Sequence, residues 1–154
     1  MISRDWAYAY HSALPSDCPQ DNWKRVEIHV AKDLGPIVKA MTDGMKALGY
    51  PRKDRFAVEL AAWEATVNAI KHGHGGDPSR TVLLSYCLGP TEVLLEVADE
   101  GFGFNPYLIP NPLDEMNLDR DSGRGLFLMR VYMTWIRFNK RGNRVTLCKR
   151  RSES

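Results

Sequence analysis

The stretch Trp63-Glu64-Ala65-Thr66-Val67-Asn68-Ala69-Ile70-Lys71-His72-Gly73 decides how this chain folds. It closes a run in which Phe56, Leu60, Trp63, Val67 and Ile70 recur at helical spacing. That period predicts a helix opened by Pro51 and burying the stripe of large residues. Gly73, Gly75, Gly76 and Pro78 then stop it. Glu64 and Asn68 stand one turn apart at the border of the stripe, so their side chains stack along the axis. Ala57 and Ala61 precede them on the same row and leave room for something to lie against the pair. A carboxylate there can take a proton from an attacking hydroxyl or water. An amide oxygen one turn on can ligate a hard cation such as Mg²⁺. The same two residues also suit an ordinary polar helix edge.

Upstream, Trp23–Ala31 alternates as an edge strand with Val26, Ile28 and Val30 on one face. Asp33 can cap a helix that runs to about Leu48, with Pro36 early and Gly49 just beyond. Downstream, Thr81–Leu88 and Thr91–Ala98 read as two strands joined across Gly89-Pro90. Residues 103–122, rich in proline and asparagine, form a long loop of the kind that carries function. Gly123–Met133 resumes helical spacing, and Trp135–Asn139 with Val145–Lys149 makes a hairpin around Arg141-Gly142-Asn143. This order predicts an α+β, two-layer sandwich: a mixed, mostly antiparallel sheet with helices on one face. Residues 1–21, holding Trp6, Tyr8 and Tyr10, read as an irregular arm, and 22–154 as one domain.

A chain of 154 residues fits a single core. With 44% apolar and 26% charged residues it is globular and soluble in composition. A net charge of +2 is too small to argue for nucleic acid, and Lys149-Arg150-Arg151 reads as a solvated tail. No apolar run of about 18 residues spans a membrane, and the start of the chain lacks a leader's continuous apolar region. Cys18, Cys87 and Cys148 form no C-x-x-C pair. Cys87 and Cys148 fall in apolar runs as small core fillers, which points to a reducing compartment, the cytoplasm.

Two further stretches carry chemistry. In Val93-Leu94-Leu95-Glu96-Val97-Ala98-Asp99 the alternation puts Asp99 on the apolar face of its strand. A carboxylate there needs donors, and the exocyclic amino group of adenine is a suitable one. Gly101 and Gly103 follow and let the backbone approach a flat base; a plain turn closing the strand is the competing explanation. Ser122-Gly123-Arg124-Gly125-Leu126 stands at the mouth of a helix, where free N–H groups and the dipole favour phosphate. A flexible hinge explains these glycines as well. Neither a P-loop nor a Rossmann fingerprint is present.

In this order and spacing the segments resemble the GHKL ATPase superfamily with its Bergerat fold. Glu64 to Gly73 looks like the N-box, Asp99-Glu-Gly-Phe-Gly like the G1 box, and Gly123-Arg-Gly-Leu-Phe like the G2 box after an ATP lid. Within the superfamily the chain is most similar to bacterial anti-sigma-factor serine/threonine kinases. The resemblance implies that ATP and Mg²⁺ bind, that Glu64 is the general base, and that Asn68 holds Mg²⁺. It implies that Asp99 reads the adenine amino group with Gly101 and Gly103 shaping the pocket. Ser122, Gly123, Arg124, Gly125 and Leu126 would gather phosphate contacts, and Lys71 and His72 would face the phosphates. It implies a cytoplasmic homodimer that phosphorylates an anti-anti-sigma (STAS-type) protein and otherwise sequesters a sigma factor, with no direct contact to nucleic acid or membrane. The alternatives are a non-catalytic, ATP-dependent binding module and an orphan histidine-kinase catalytic domain. Asp121 stands where a basic residue often precedes the Ser-Gly of the lid, with Arg120 one step earlier. That leaves open which arginine meets the terminal phosphate. Trp63 stands where a second acid is frequent, and the aromatic arm has no counterpart.

Overall fold

The computed structural model describes residues 22–71, 81–99, 121–139 and 142–153, and of 121–124 the backbone alone. Along the chain run β1 (Lys24–Ile28), a 3-10 turn (Ala31–Asp33), α1 (Leu34–Ala47) and α2 (Arg52–Ala69). After them come β2 (Val82–Leu88), β3 (Glu92–Asp99), α3 (Asp121–Tyr132), β4 (Trp135–Phe138) and β5 (Arg144–Arg150). The strands form one sheet in the order β1-β2-β3-β5-β4. Every neighbouring pair is antiparallel, so among the described residues the expected sandwich has a wholly antiparallel sheet, not a mixed one.

Strict alternation sets the faces. Val93, Leu95 and Val97 of β3 are buried on the helix side, where Leu95 pairs with Tyr86 on one flank and Leu147 on the other. Leu34, Val38, Met41 and Met45 of α1 and Met129 of α3 close the same core. The opposite face carries a smaller cluster in which Cys87 and Cys148 flank Leu94, with Trp23 and Trp135 packed against it. Both thiols are buried, as small fillers should be. They lie two strands apart, about 10 Å, which is beyond disulfide reach.

The buried row of α2 is not the one its large residues mark. Ala57, Val58, Ala61, Ala62, Ala65, Thr66 and Ala69 are buried, whereas Phe56 is 52% exposed. Leu60, Trp63, Val67 and Ile70 are only half-buried. The cause is steric: a helix lying flat between a sheet and neighbouring helices needs small side chains to approach closely. The large residues fill its flanks instead. Trp63 and Ile70 lean against the core, and Phe56 meets Tyr132 edge-on with centroids 5.8 Å apart. Ala57 and Ala61 are therefore packed core, not vacant room.

Two other expectations change. Asp33 does precede α1, but its side chain makes no hydrogen bond to that helix. Its Oδ2 instead accepts from the backbone N–H groups of His29 and Val30, both at 3.1 Å. These donors hold the carboxyl below the usual carboxylate range. The chain turns there, which leaves Val30 38% exposed, off the face that Ile28 buries. Nor is Lys149-Arg150-Arg151 a solvated tail. Lys149 and Arg150 end β5, and Arg151 donates through its backbone N–H to Thr91 and through Nη1 to the Leu48 carbonyl.

Behind that segment Asp54, fully buried on α2, accepts two hydrogen bonds from Ser152, through N and Oγ, each 2.7 Å. Lys149 Nζ lies 3.9 Å from the same carboxylate. Asp54→Ala is expected to cost about 3 kcal/mol, because it removes the charged acceptor of both Ser152 donors, while Lys149 keeps its bond to the Tyr132 carbonyl. Ser152→Ala, which keeps the backbone donor, is expected to cost about 1 kcal/mol. Urea unfolding of both variants checks the order; midpoints equal to the wild type's would mean that these bonds contribute nothing.

Candidate nucleotide-binding site

The site starts from the end of β3. The alternation that buries Val93, Leu95 and Val97 delivers Asp99 to the helix side, at the strand's last position. Its backbone N–H donates to the carbonyl of Asn143 at 2.9 Å, which fastens the strand end to the β4–β5 hairpin. Beside it opens a shallow cleft, lined among others by Ala65, Asn68, Val97, Asp99, Met129 and Asn143. Small and aliphatic side chains make most of its wall, with Asn68, Asp99, Asn143 and Arg144 as its polar members. That is the form of a slot for a flat, mainly apolar ligand with polar edges.

Glu64 and Asn68 belong to the edge of α2, where the buried alanine row gives way to the flank. Residues of a helix advance by ~100°, so positions four apart share this edge. Against it lies Gly125 of α3, which is buried. A Cβ added to Gly125 would stand 2.5 Å from Glu64 Oε2 and 3.5 Å from Asn68 Nδ2. A glycine is thus what lets α3 touch both side chains. Asn68 links the two halves of the site: it lines the pocket with Asp99 and abuts Gly125 with Glu64.

The other expected residues divide. Leu126 is 5% exposed and packs in the core, so only its backbone is available to a ligand. Lys71 is exposed just past α2. Ser122, Gly123 and Arg124 lie within the first turn of α3, which begins at Asp121, so Gly123 and Gly125 are helical residues and not a loop ahead of the helix. Backbone N–H groups of a first turn lack intrahelical acceptors and suit an anion. The side chains of 122–124, and His72, Gly101 and Gly103 altogether, lie outside the described residues, as does the expected loop up to residue 120. Asn143 and Arg144, which also line the pocket, were not anticipated. The short hairpin around Gly142 signals a turn and nothing about a ligand; Gly142 takes φ 73° there.

Residues 16–149 match the family model described as a histidine kinase-like ATPase domain. The chain belongs to that family. The match runs from ahead of β1 into β5 and takes in both α2 and α3. The chain is also similar to the serine-protein kinase RsbW of Bacillus licheniformis, with 25% identity over 111 residues, 66% of this chain and 68% of that protein. A histidine kinase-like ATPase domain is an ATP-binding one, and the pocket fits the nucleotide in kind. Asp99 is an acceptor beside an aliphatic slot, and Gly125 presents no side chain where α3 meets Glu64 and Asn68. Among the described residues no cluster of three or more His, Cys, Asp or Glu is able to hold a metal alone. Asn68 and Glu64 are oxygen donors that suit a cation shared with phosphates and water. Among the described residues no helix is long and apolar enough to cross a membrane.

Proposed function

We propose that the chain is an ATP-dependent serine/threonine protein kinase that acts as an anti-sigma factor. In this reading it phosphorylates a serine of an anti-anti-sigma, STAS-type protein and otherwise sequesters a sigma factor, as a cytoplasmic homodimer. The observation that carries the reading is the contact of Glu64 and Asn68 with Gly125 beside the pocket that ends at Asp99. A pocket alone would serve a module that merely binds nucleotide. An acid held against the phosphate-side helix is what a transferase needs in addition. The likeness to a serine-protein kinase supports the same choice.

In the proposed mechanism Asp99 accepts a hydrogen bond from the adenine amino group and so sets the register of the base. Asn68 offers its amide oxygen to Mg²⁺. The first-turn N–H groups of α3, with Arg124, receive phosphate oxygens. When bound, ATP and Mg²⁺ supply the terminal phosphoryl group and the charge that neutralises its oxygens. Glu64 takes the proton of the partner's serine hydroxyl and thereby frees its oxygen to attack. Most of the acceleration comes from alignment and fixed charge, so the acid's position matters as much as its basicity.

The test has two parts. Partners captured from a lysate by the tagged full chain are incubated with it, ATP and magnesium, and phosphosites are mapped by mass spectrometry. Acid-stable phosphoserine on a captured partner is expected; saturating nucleotide without transfer would reduce the chain to a binding module, and acid-labile product would indicate histidine. In calorimetry Asp99→Asn is expected to weaken ADP binding about 10–100-fold, because the amide loses the charge-assisted acceptor. Unchanged affinity would remove Asp99 from the base site.

A further inference from the structure

One row of side chains crosses the outer face of the sheet, opposite the helices. Trp135 pairs with Cys148, Cys148 with Leu94, and Leu94 with Cys87. The register of β1, in which Lys24 pairs with Tyr86, brings Trp23 beside Cys87. The row therefore runs from tryptophan to tryptophan across all five strands. At its centre Cys87 is 1% exposed and Leu94 and Cys148 are 0% exposed; Ser85, on the same face, is also buried. The core side chains of all three helices lie on the other face, so something else shields this one. The two tryptophans do not suffice. Leu94 stands two strands, about 10 Å, from either of them. Trp135 is engaged along its own strand, with the Arg137 guanidinium 4.5 Å from its ring centroid.

The burial also has a direction. It fades toward the Asp99 end of the sheet, where Leu83, on the same face of β2, is 38% exposed. Arg25, Glu27 and Arg144 are exposed as well. A cover arriving from that end would give the reverse gradient. Segments 72–80, 100–120 and 140–141 join β2, β3 and the β4–β5 hairpin there, five residues or about 17 Å from Leu94. The segment that meets the sheet at the buried row is 1–21, which enters β1 through Asn22 and Trp23. Extended, it reaches up to about 70 Å, whereas five strands span about 20 Å. Its Trp6, Tyr8 and Tyr10 alternate with Ala7 and Ala9, so an extended path sets three aromatic rings on one side. Rings with a polar edge suit a cover that is apolar beneath and wet above. We infer that residues 1–21 dock across this face of their own chain, over Cys87, Leu94 and Cys148. So placed, the arm occupies an apolar surface that a second copy would otherwise cover, on the side of the sheet away from the nucleotide cleft.

The two buried thiols report on the cover. The full chain is treated with N-ethylmaleimide in native buffer, and mass spectrometry follows the Cys87 and Cys148 peptides apart from that of Cys18. The same is done with the full chain carrying Trp6→Ser, Tyr8→Ser and Tyr10→Ser, after thermal unfolding has shown it to be folded. Cys87 and Cys148 are expected to react about 10-fold faster in the variant than in the wild type. Equal rates in the two folded proteins would overturn the inference, as would labelling of the native wild type as fast as in urea. Protection that both proteins share and lose on dilution would overturn it too, and would give the face to a second copy. Should the variant fail to fold, the wild type still decides: hydroxyl-radical oxidation of Trp6, Tyr8 and Tyr10 is expected to run about 5-fold slower in native buffer than in urea. Oxidation at the same rate in both would mean an undocked arm and defeat the inference.

Discussion

Glu64→Gln is expected to leave nucleotide binding within about twofold of the wild type and to lower phosphoryl transfer about 10²–10⁴-fold. The separation follows from where the residue stands. Glu64 does not line the pocket that holds Asn68, Asp99 and Asn143; it faces Gly125 at the neighbouring helix. Gln has nearly the same shape, so the contact with α3 and the half-buried edge of α2 survive. What disappears is the basic oxygen. A loss in kcat with an unchanged ADP affinity by calorimetry is therefore the signature of a base. Loss of both would make Glu64 a binding or structural residue, and loss of neither would leave the chain without an assigned base.

Much of this arrangement was legible because a strand's period is exact at two residues. Val93, Leu95 and Val97 settle a face, and Asp99 follows on it with no freedom to choose. The order of boxes likewise located α2, β3 and α3. Legibility failed where size and burial part company. On α2 the bulky row, Phe56 to Ile70, looks like the buried stripe, yet the alanine row opposite lies on the sheet. Hydrophobicity alone does not record how closely two elements approach, and closeness favours the smaller residue. Glu64 borders the buried surface on either reading.

Long-range pairings were not legible either. Asp54 meets Ser152 across 98 residues of sequence, and Asn143 meets Asp99 across 44. Neither partner carries a local signal. Asn143 reads as a turn residue because its amide does close a turn with Asn139. Its place beside Asp99 appears only when the antiparallel pairing of β3 with β5 sets the hairpin end beside the strand end.

Gly125→Ala separates positioning from stability most cleanly. Among the described residues the glycines with positive φ are Gly49 and Gly142, so Gly125 is in ordinary helical conformation and an alanine there meets no backbone strain. Within α3 the exchange contributes about 0.5–1 kcal/mol through lower unfolded-state entropy and better helix propensity. Against this stands the new Cβ, 2.5 Å from Glu64 Oε2. The atom it meets is the end of a flexible side chain, so Glu64 swings aside at about 1 kcal/mol of rotamer cost and the helices stay where they are. Asn68 Nδ2, at 3.5 Å, is in ordinary contact and does not move. Stability should therefore remain within about 1 kcal/mol of the wild type, and nucleotide affinity should hold, while transfer falls about 10²-fold because the proposed base is displaced by about an ångström. Thermal unfolding, calorimetry and the phosphorylation rate measured on one preparation decide it. Full activity would mean that Glu64 does its work from another rotamer. A large loss of stability would mean that the backbone yields before the side chain, and that the glycine serves helix packing rather than the placement of the acid.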